Sequence, residues 1–128
     1  MRGFICGAWD LLHPGHVYTL RACKKRCDHL VVGLHINPKN ERKNKNKPIE
    51  TAFERYYQLL ACKYVDEIIP YETNEDLINI LQIMDIDIRF LGEDYIDHHE
   101  SIIGIGIVPI QYLPRKHNYS STNLRKRL

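Results

Sequence analysis

The chain lacks any long apolar run: nothing in its 128 residues approaches the ~20 consecutive apolar residues of a membrane-spanning helix, so membrane insertion is not expected. Charge of one sign is also scarce, with 18 Lys and Arg against 16 Asp and Glu. That near-balance leaves no global case for a nucleic-acid or membrane-surface partner. The four cysteines, Cys6, Cys23, Cys27 and Cys62, form no C-x-x-C pair. Cys23 and Cys27 sit one helical turn apart, which is no disulfide framework, and all four are expected as reduced, partly buried thiols of a cytoplasmic protein. Asp10 and His13 interrupt the N-terminal apolar stretch, so a secretory signal is not expected. Repeats and low-complexity tracts are missing, and no Ser–His–Asp or Cys–His set suggests a covalent nucleophile. What remains is an ordinary composition, 44% apolar and 27% charged, with one modest core and a single domain over residues 1–128 as the expectation.

Apolar periodicity then lays out the elements. Gly3 to Gly7 reads as a strand, and Pro14 to Arg26 as a helix with Val17, Leu20, Cys23 and Cys27 inward. His29 to Ile36 is a near-continuous apolar run, the pattern of a strand covered on both faces. Strand, helix and strand in so short a span make a βαβ unit with a right-handed crossover. A polar loop runs from Asn37 to Ile49. Thr51-Ala52-Phe53-Glu54 fits a capping box, and the helix behind it carries Phe53, Tyr56, Tyr57, Leu60, Ala61 and Tyr64 as its core stripe. A third strand is expected over 65–70, a capped helix over 73–84 with Leu77, Ile80, Leu81 and Met84 inward, and a fourth strand over 86–92. A loop from Glu93 to Gly106, a fifth strand over 107–113 and a short helix over 121–128 complete the chain. Alternating strands and helices imply a parallel α/β sandwich, whose ligands collect at the carboxyl ends of the strands where strand order reverses.

The stretch that stands out is Gly7-Ala8-Trp9-Asp10-Leu11-Leu12-His13-Pro14-Gly15-His16. It leads from a strand into a helix, so the unpaired N–H groups of the helix start face whatever lies over the turn, and a phosphate suits them. Pro14 fits the first helical turn, while Gly15 lets a ligand press against bare backbone. His13 and His16 then flank one turn, both able to donate to the same phosphate oxygens.

This frame resembles the nucleotidyltransferase superfamily with an H-x-G-H signature, in particular the small cytidylyltransferases. The opening pattern G-x-[FWY]-D-x-x-H-x-G-H of the glycerol-3-phosphate cytidylyltransferase family is met without a gap by Gly7, Trp9, Asp10, His13, Gly15 and His16. The resemblance continues through the basic loop Lys43-Asn44-Lys45-Asn46-Lys47, the pair Glu54-Arg55, the segment Lys63-Tyr64-Val65-Asp66-Glu67, the turn Gly92-Glu93-Asp94-Tyr95 and the run Arg115 to Thr122. Lys63 stands where the family has arginine, and an ammonium cannot reproduce a guanidinium fork.

What the resemblance implies is a Rossmann-like three-layer sandwich with a five-stranded parallel sheet. Its implied reaction is attack by a substrate phosphate on the α-phosphorus of CTP, forming a CDP-alcohol and expelling pyrophosphate. Glycerol 3-phosphate is the leading acceptor; transfer from another nucleotide such as ATP, or nucleotide binding without catalysis, are the alternatives. His13, His16, Lys45 and Arg115 take the catalytic places, with Lys43 and Lys47 as alternatives to Lys45. Gly7, Ala8, Trp9, Asp10, Gly15, Gly92, Asp94, Ser120, Ser121 and Thr122 are expected around the nucleotide. Arg55, Lys63 and Asp66 are expected in acceptor or supporting places, Asp66 chiefly as a structural hydrogen-bond acceptor. Mg²⁺ is expected on the triphosphate, with Asp10 the nearest acid, and a homodimer is expected from family habit.

Overall fold

The computed structural model describes residues 1–38 and 47–114. Its strands are β1 (Arg2–Gly7), β2 (His29–His35), β3 (Glu67–Tyr71), β4 (Ile88–Gly92) and β5 (Ile110–Leu113). They form one all-parallel sheet in the order β3-β2-β1-β4-β5. Among the described residues three helices connect them: α1 (Pro14–Lys24), α2 (Ala52–Leu60) and α3 (Asn74–Ile83), with single 3-10 turns at Glu93–Tyr95 and His99–Ser101. Strand order runs outward from β1 in both directions, so the reversal lies between β1 and β4. The expected α/β Rossmann-like sandwich with five parallel strands is the fold found.

Alternation along the strands divides the core between the two faces of the sheet. On one face Ile5, Leu30, Val32, Leu34 and Phe90 pack with Leu20 and Cys23 of α1 and Leu59 of α2. On the other, Phe4, Val31 and Ile86 pack with Leu77, Ile80 and Leu81 of α3. Both covers are needed because β1 and β2 are apolar on either side. Helices α2 and α3 start with the capping boxes their sequences signal. Thr51 Oγ1 accepts from Glu54 N–H at 3.1 Å and Glu54 accepts from Thr51 N–H at 2.9 Å. Thr73 and Asp76 repeat the exchange.

Several boundaries and one stripe differ from the sequence expectation. Strand β3 begins at Glu67 rather than at residue 65, because the Asp66 carboxylate accepts from Leu30 N–H at 2.8 Å and so ends the approach to the strand. Strand β5 begins at Ile110 rather than at residue 107, since Gly104 and Gly106 turn the chain with φ of 75° and 91°. In α1, Val17 is exposed, while Leu20 and Cys23 are the buried positions. The largest correction concerns α2: Phe53, Tyr57 and Leu60 are 72%, 64% and 56% exposed, not core. The helix turns Arg55 and Leu59 inward instead, while Tyr56 packs against the core as expected. Arg55 can be buried there because backbone carbonyls take up its guanidinium. The expected helix over 121–128 lies outside the described residues.

Candidate active site

The turn after β1 is held in a conformation its residues do not favour. Trp9 and Leu11, neither of them glycine, have φ of +55° and +50°, a left-handed geometry that costs about 1–3 kcal/mol each. Strain of that kind persists only where the surroundings dictate it, and here they do. The Trp9 ring is buried and its indole N–H donates to the Gly33 carbonyl at 3.0 Å. Asp10, also buried, accepts from Ile49 N–H at 2.9 Å through one oxygen and from Glu50 N–H at 3.0 Å through the other. Leu11 N–H donates to the Glu50 carboxylate at 2.6 Å. Sequence reasoning missed Glu50, which also accepts from Gln58; its only signal is its place just before a capping box.

This fixed turn delivers two histidines to the start of α1. His13 is the N-cap, and its Nδ1 accepts from Gly15 N–H at 3.0 Å. His16 Nδ1 faces His13 N–H at 3.4 Å, closing a capping box made of imidazoles where Ser, Thr or Asp would be usual. The two rings stack with centroids 3.9 Å apart and planes 24° from parallel, and the Trp9 ring meets His16 edge-on at 5.5 Å. Because each Nδ1 serves as an acceptor, the neutral ring carries its proton on Nε2. Two Nε2–H donors therefore lie on adjacent, stacked rings, that of His13 buried. Helix α1 has no acidic residue in its first turn, whereas α2 and α3 carry Glu54, and Glu75 with Asp76, in theirs. The positive end of α1 is left without a side-chain carboxylate against it.

Arg55 ties the surrounding strand ends together. It is 2% exposed and donates to four carbonyls: Ala8 at 2.9 Å, His35 at 2.9 Å, Ile36 at 2.6 Å and Glu50 at 3.2 Å. Those groups lie at the ends of β1 and β2 and just before α2. Burial pulls the guanidinium pKa down, opposed by the charges of Asp10 and Glu50. Arg55 thus holds the ends of β1 and β2 and the entry to α2 together. His35, unremarked in the sequence beyond ending an apolar strand, is buried, stacks on Tyr71 at 4.7 Å and places Nε2 3.1 Å from the Glu72 carbonyl.

The remaining expected residues separate by position. Gly92 ends β4, the neighbour of β1, so the Gly92–Tyr95 turn opens on the same crevice as Gly7–His16, with Asp94 exposed upon it. Asp66 sits at the other edge of the sheet, accepting from Leu30 N–H and Lys24 Nζ, which is the structural part expected of it. Lys63 follows α2 towards that edge, with Nζ 5.3 Å from the Tyr64 ring centroid. Neither joins the crevice. Lys47 is exposed. Lys43, Lys45, Arg115, Ser120, Ser121 and Thr122 lie outside the described residues. Among the described residues no group of three or more His, Cys, Asp or Glu could hold a metal ion, and both Asp10 oxygens already accept from backbone. No described helix is long and apolar enough to cross a membrane.

Comparison with known proteins decides the lineage. The model of the cytidylyltransferase-like family matches residues 4–127. This chain belongs to that family. The ethanolamine-phosphate cytidylyltransferase of Arabidopsis thaliana is 39% identical over 84 residues, covering 62% of this chain and 20% of the relative. The bifunctional protein HldE of Caulobacter sp. (strain K31) is 31% identical over 132 residues, covering 98% of this chain and 26% of the relative. The chain thus spans about a fifth to a quarter of the curated relatives it matches. Among solved structures, the lipopolysaccharide core biosynthesis protein of Thermoplasma volcanium superposes with a TM-score of 0.70 at 25% identity, over 94% of this chain and 98% of that one. A pantoate-β-alanine ligase of Francisella tularensis shares the fold, with a TM-score of 0.62 at 20% identity over 100% of this chain and 65% of that one.

Proposed function

We propose that this cytidylyltransferase-like chain transfers CMP from CTP to a phosphorylated alcohol, with glycerol 3-phosphate the first acceptor to test. The observation that carries the reading is the stacked pair His13–His16, each Nδ1 tied to the backbone of the helix start. An acceptor phosphate oxygen attacks the α-phosphorus, a new P–O bond forms, the α–β bridging P–O bond breaks, and pyrophosphate leaves. A phosphate monoester at neutral pH is already ionised, so no general base is required. The chemistry asks for positioning and for charge stabilisation on the departing diphosphate. The two Nε2–H donors and the dipole of helix α1 supply both.

Mg²⁺ enters as part of the substrate, carried by the triphosphate oxygens and water. By resemblance, Lys45 (or Lys43 or Lys47), Arg115 and the Ser120–Thr122 run add further contacts to the phosphates, and Gly92 and Asp94 border the nucleotide. The same resemblance brings a homodimer in the cytoplasm into the proposal. The test is to incubate the protein with each nucleoside triphosphate, Mg²⁺ and a panel of phosphorylated alcohols while following pyrophosphate. Release with CTP and an acceptor together supports the reading. Release with ATP alone moves it to adenylyl transfer, and silence in every mixture rejects it.

A further inference from the structure

Glu50 is a half-buried carboxylate that helix α2 does not need for its own start. Thr51 and Glu54 already cap that helix. Glu50 precedes the cap, where an apolar residue ordinarily packs against the fourth residue of the helix. Here the fourth residue is the buried Arg55, whose Nε donates to the Glu50 carbonyl at 3.2 Å. One Glu50 carboxylate oxygen accepts from Gln58 Nε2 at 2.6 Å, further along the same helix. Glu50 is thus fixed to α2 at two points, and its second carboxylate oxygen reaches across to Leu11 N–H at 2.6 Å. Asp10 answers from the other side, accepting from the N–H groups of Ile49 and Glu50.

Leu11 is the residue that gives this reach a purpose. Trp9 and Leu11 both hold positive φ, and Trp9 is anchored through its own ring by the indole bond to Gly33. A leucine side chain makes no hydrogen bond, and its Cβ opposes the left-handed geometry. Its conformation rests on what grips its backbone, and a bond from N–H to a carboxylate is the strong kind. Leu11 stands two residues before His13, the N-cap of α1, on whose ring His16 stacks. A return of Leu11 to negative φ would swing the chain that follows and carry the paired rings with it.

We propose that Glu50 is a positioning residue of the transfer: by holding Leu11 left-handed it fixes the angle at which the turn presents His13 and His16. The inference rests on the transfer reading above and adds to it a residue that acts only through another.

The experiment measures pyrophosphate release, far-UV circular dichroism and histidine ring resonances for wild type, Glu50→Ala, Glu50→Gln and the double variant Glu50→Ala with Leu11→Gly. Glu50→Ala is expected to lose about tenfold or more in kcat with its helices intact, and the KM for CTP to move less. Glu50→Gln should stay near wild type. Its amide oxygen still accepts from Leu11 N–H, and its amide nitrogen finds an acceptor in Gln58 Oε1, which is buried with no partner. The double variant should turn over faster than Glu50→Ala, because glycine takes positive φ without the carboxylate. A part in stability alone predicts the reverse, since Leu11→Gly then adds a second loss. Unchanged kcat in Glu50→Ala, or a double variant no faster than it, would overturn the assignment. If Glu50→Ala does not fold, Glu50→Asp, which keeps the charge and shortens the reach, takes its place in both arms. If no mixture turns over, the transfer reading fails and the ring resonances decide: shifts of His13 and His16 in Glu50→Ala that return towards wild type in the double variant support the positioning role. Unmoved resonances, or shifts that do not return, reject it.

Discussion

A histidine that caps a helix and also meets a ligand couples stability to chemistry in one side chain. His16 is the less entangled of the pair, because α1 keeps its N-cap when His16 is gone. His16→Ala is therefore expected to lower kcat about 10²–10³-fold, the loss usual for one preorganised donor, with far-UV circular dichroism unchanged. Arg55 behaves in the opposite way. Its removal leaves the carbonyls of Ala8, His35, Ile36 and Glu50 without their shared donor. Arg55→Ala should lose about 3 kcal/mol or more in urea unfolding, and Arg55→Lys should recover only part, since one ammonium cannot reach four carbonyls.

Acid titration tests two further residues. Burial would raise the Asp66 pKa, but the hydrogen bonds from Lys24 and Leu30 and the charges of Lys24 and His29 outweigh it and hold the carboxyl below its ordinary value. Asp76 is lowered by the backbone N–H groups of Thr73 and Glu72. A folded-state pKa below the unfolded one means stabilisation that is complete above the ordinary carboxylate value and lost as pH falls through the depressed ones. Thermal melts should show this loss on the acid side of that value, with Asp66→Asn and Asp76→Asn each flattening the slope there. A slope unchanged in both variants would contradict these assignments.

At the scale of elements, close approach governs as much as pattern. Gly33 of β2 lies under Phe4, Cys6 and the Trp9 indole; an added Cβ would come 2.8 Å from Phe4 Cζ and 2.9 Å from Cys6 Cβ. Gly33→Ala is expected to cost about 1–3 kcal/mol by overpacking, read as a lowered Tm. Periodicity made the strands and α3 legible, because Leu77, Ile80 and Leu81 follow a simple inward stripe. It misled on α2, where Phe53 and Tyr57 face out and an arginine faces in. No hydropathy pattern shows that four carbonyls await a guanidinium, since those carbonyls come from segments up to 47 residues away in sequence. The H-x-G-H turn was legible from residue types alone as a strand-to-helix corner carrying two histidines. Its supports were not: Asp10 meets Ile49 and Glu50 across 39 and 40 positions, and the left-handed Trp9 and Leu11 leave no mark in composition.

For the molecule as a whole, strand order places the turn after β1 beside the turn after β4, and every proposed step happens in the crevice between them. The substituted segment R-Y-V-D-E, here Lys63 to Glu67, sits at the far edge of the sheet, so lysine at position 63 leaves that crevice untouched. The most direct measurement replaces His13 with asparagine, whose short side chain also caps helices. Pyrophosphate release from CTP and acceptor is expected to fall at least about 10²-fold, while the Tm stays near that of wild type and well above that of His13→Ala. Turnover in His13→Asn equal to wild type, with the fold intact, would contradict the phosphate-binding role of the paired imidazoles.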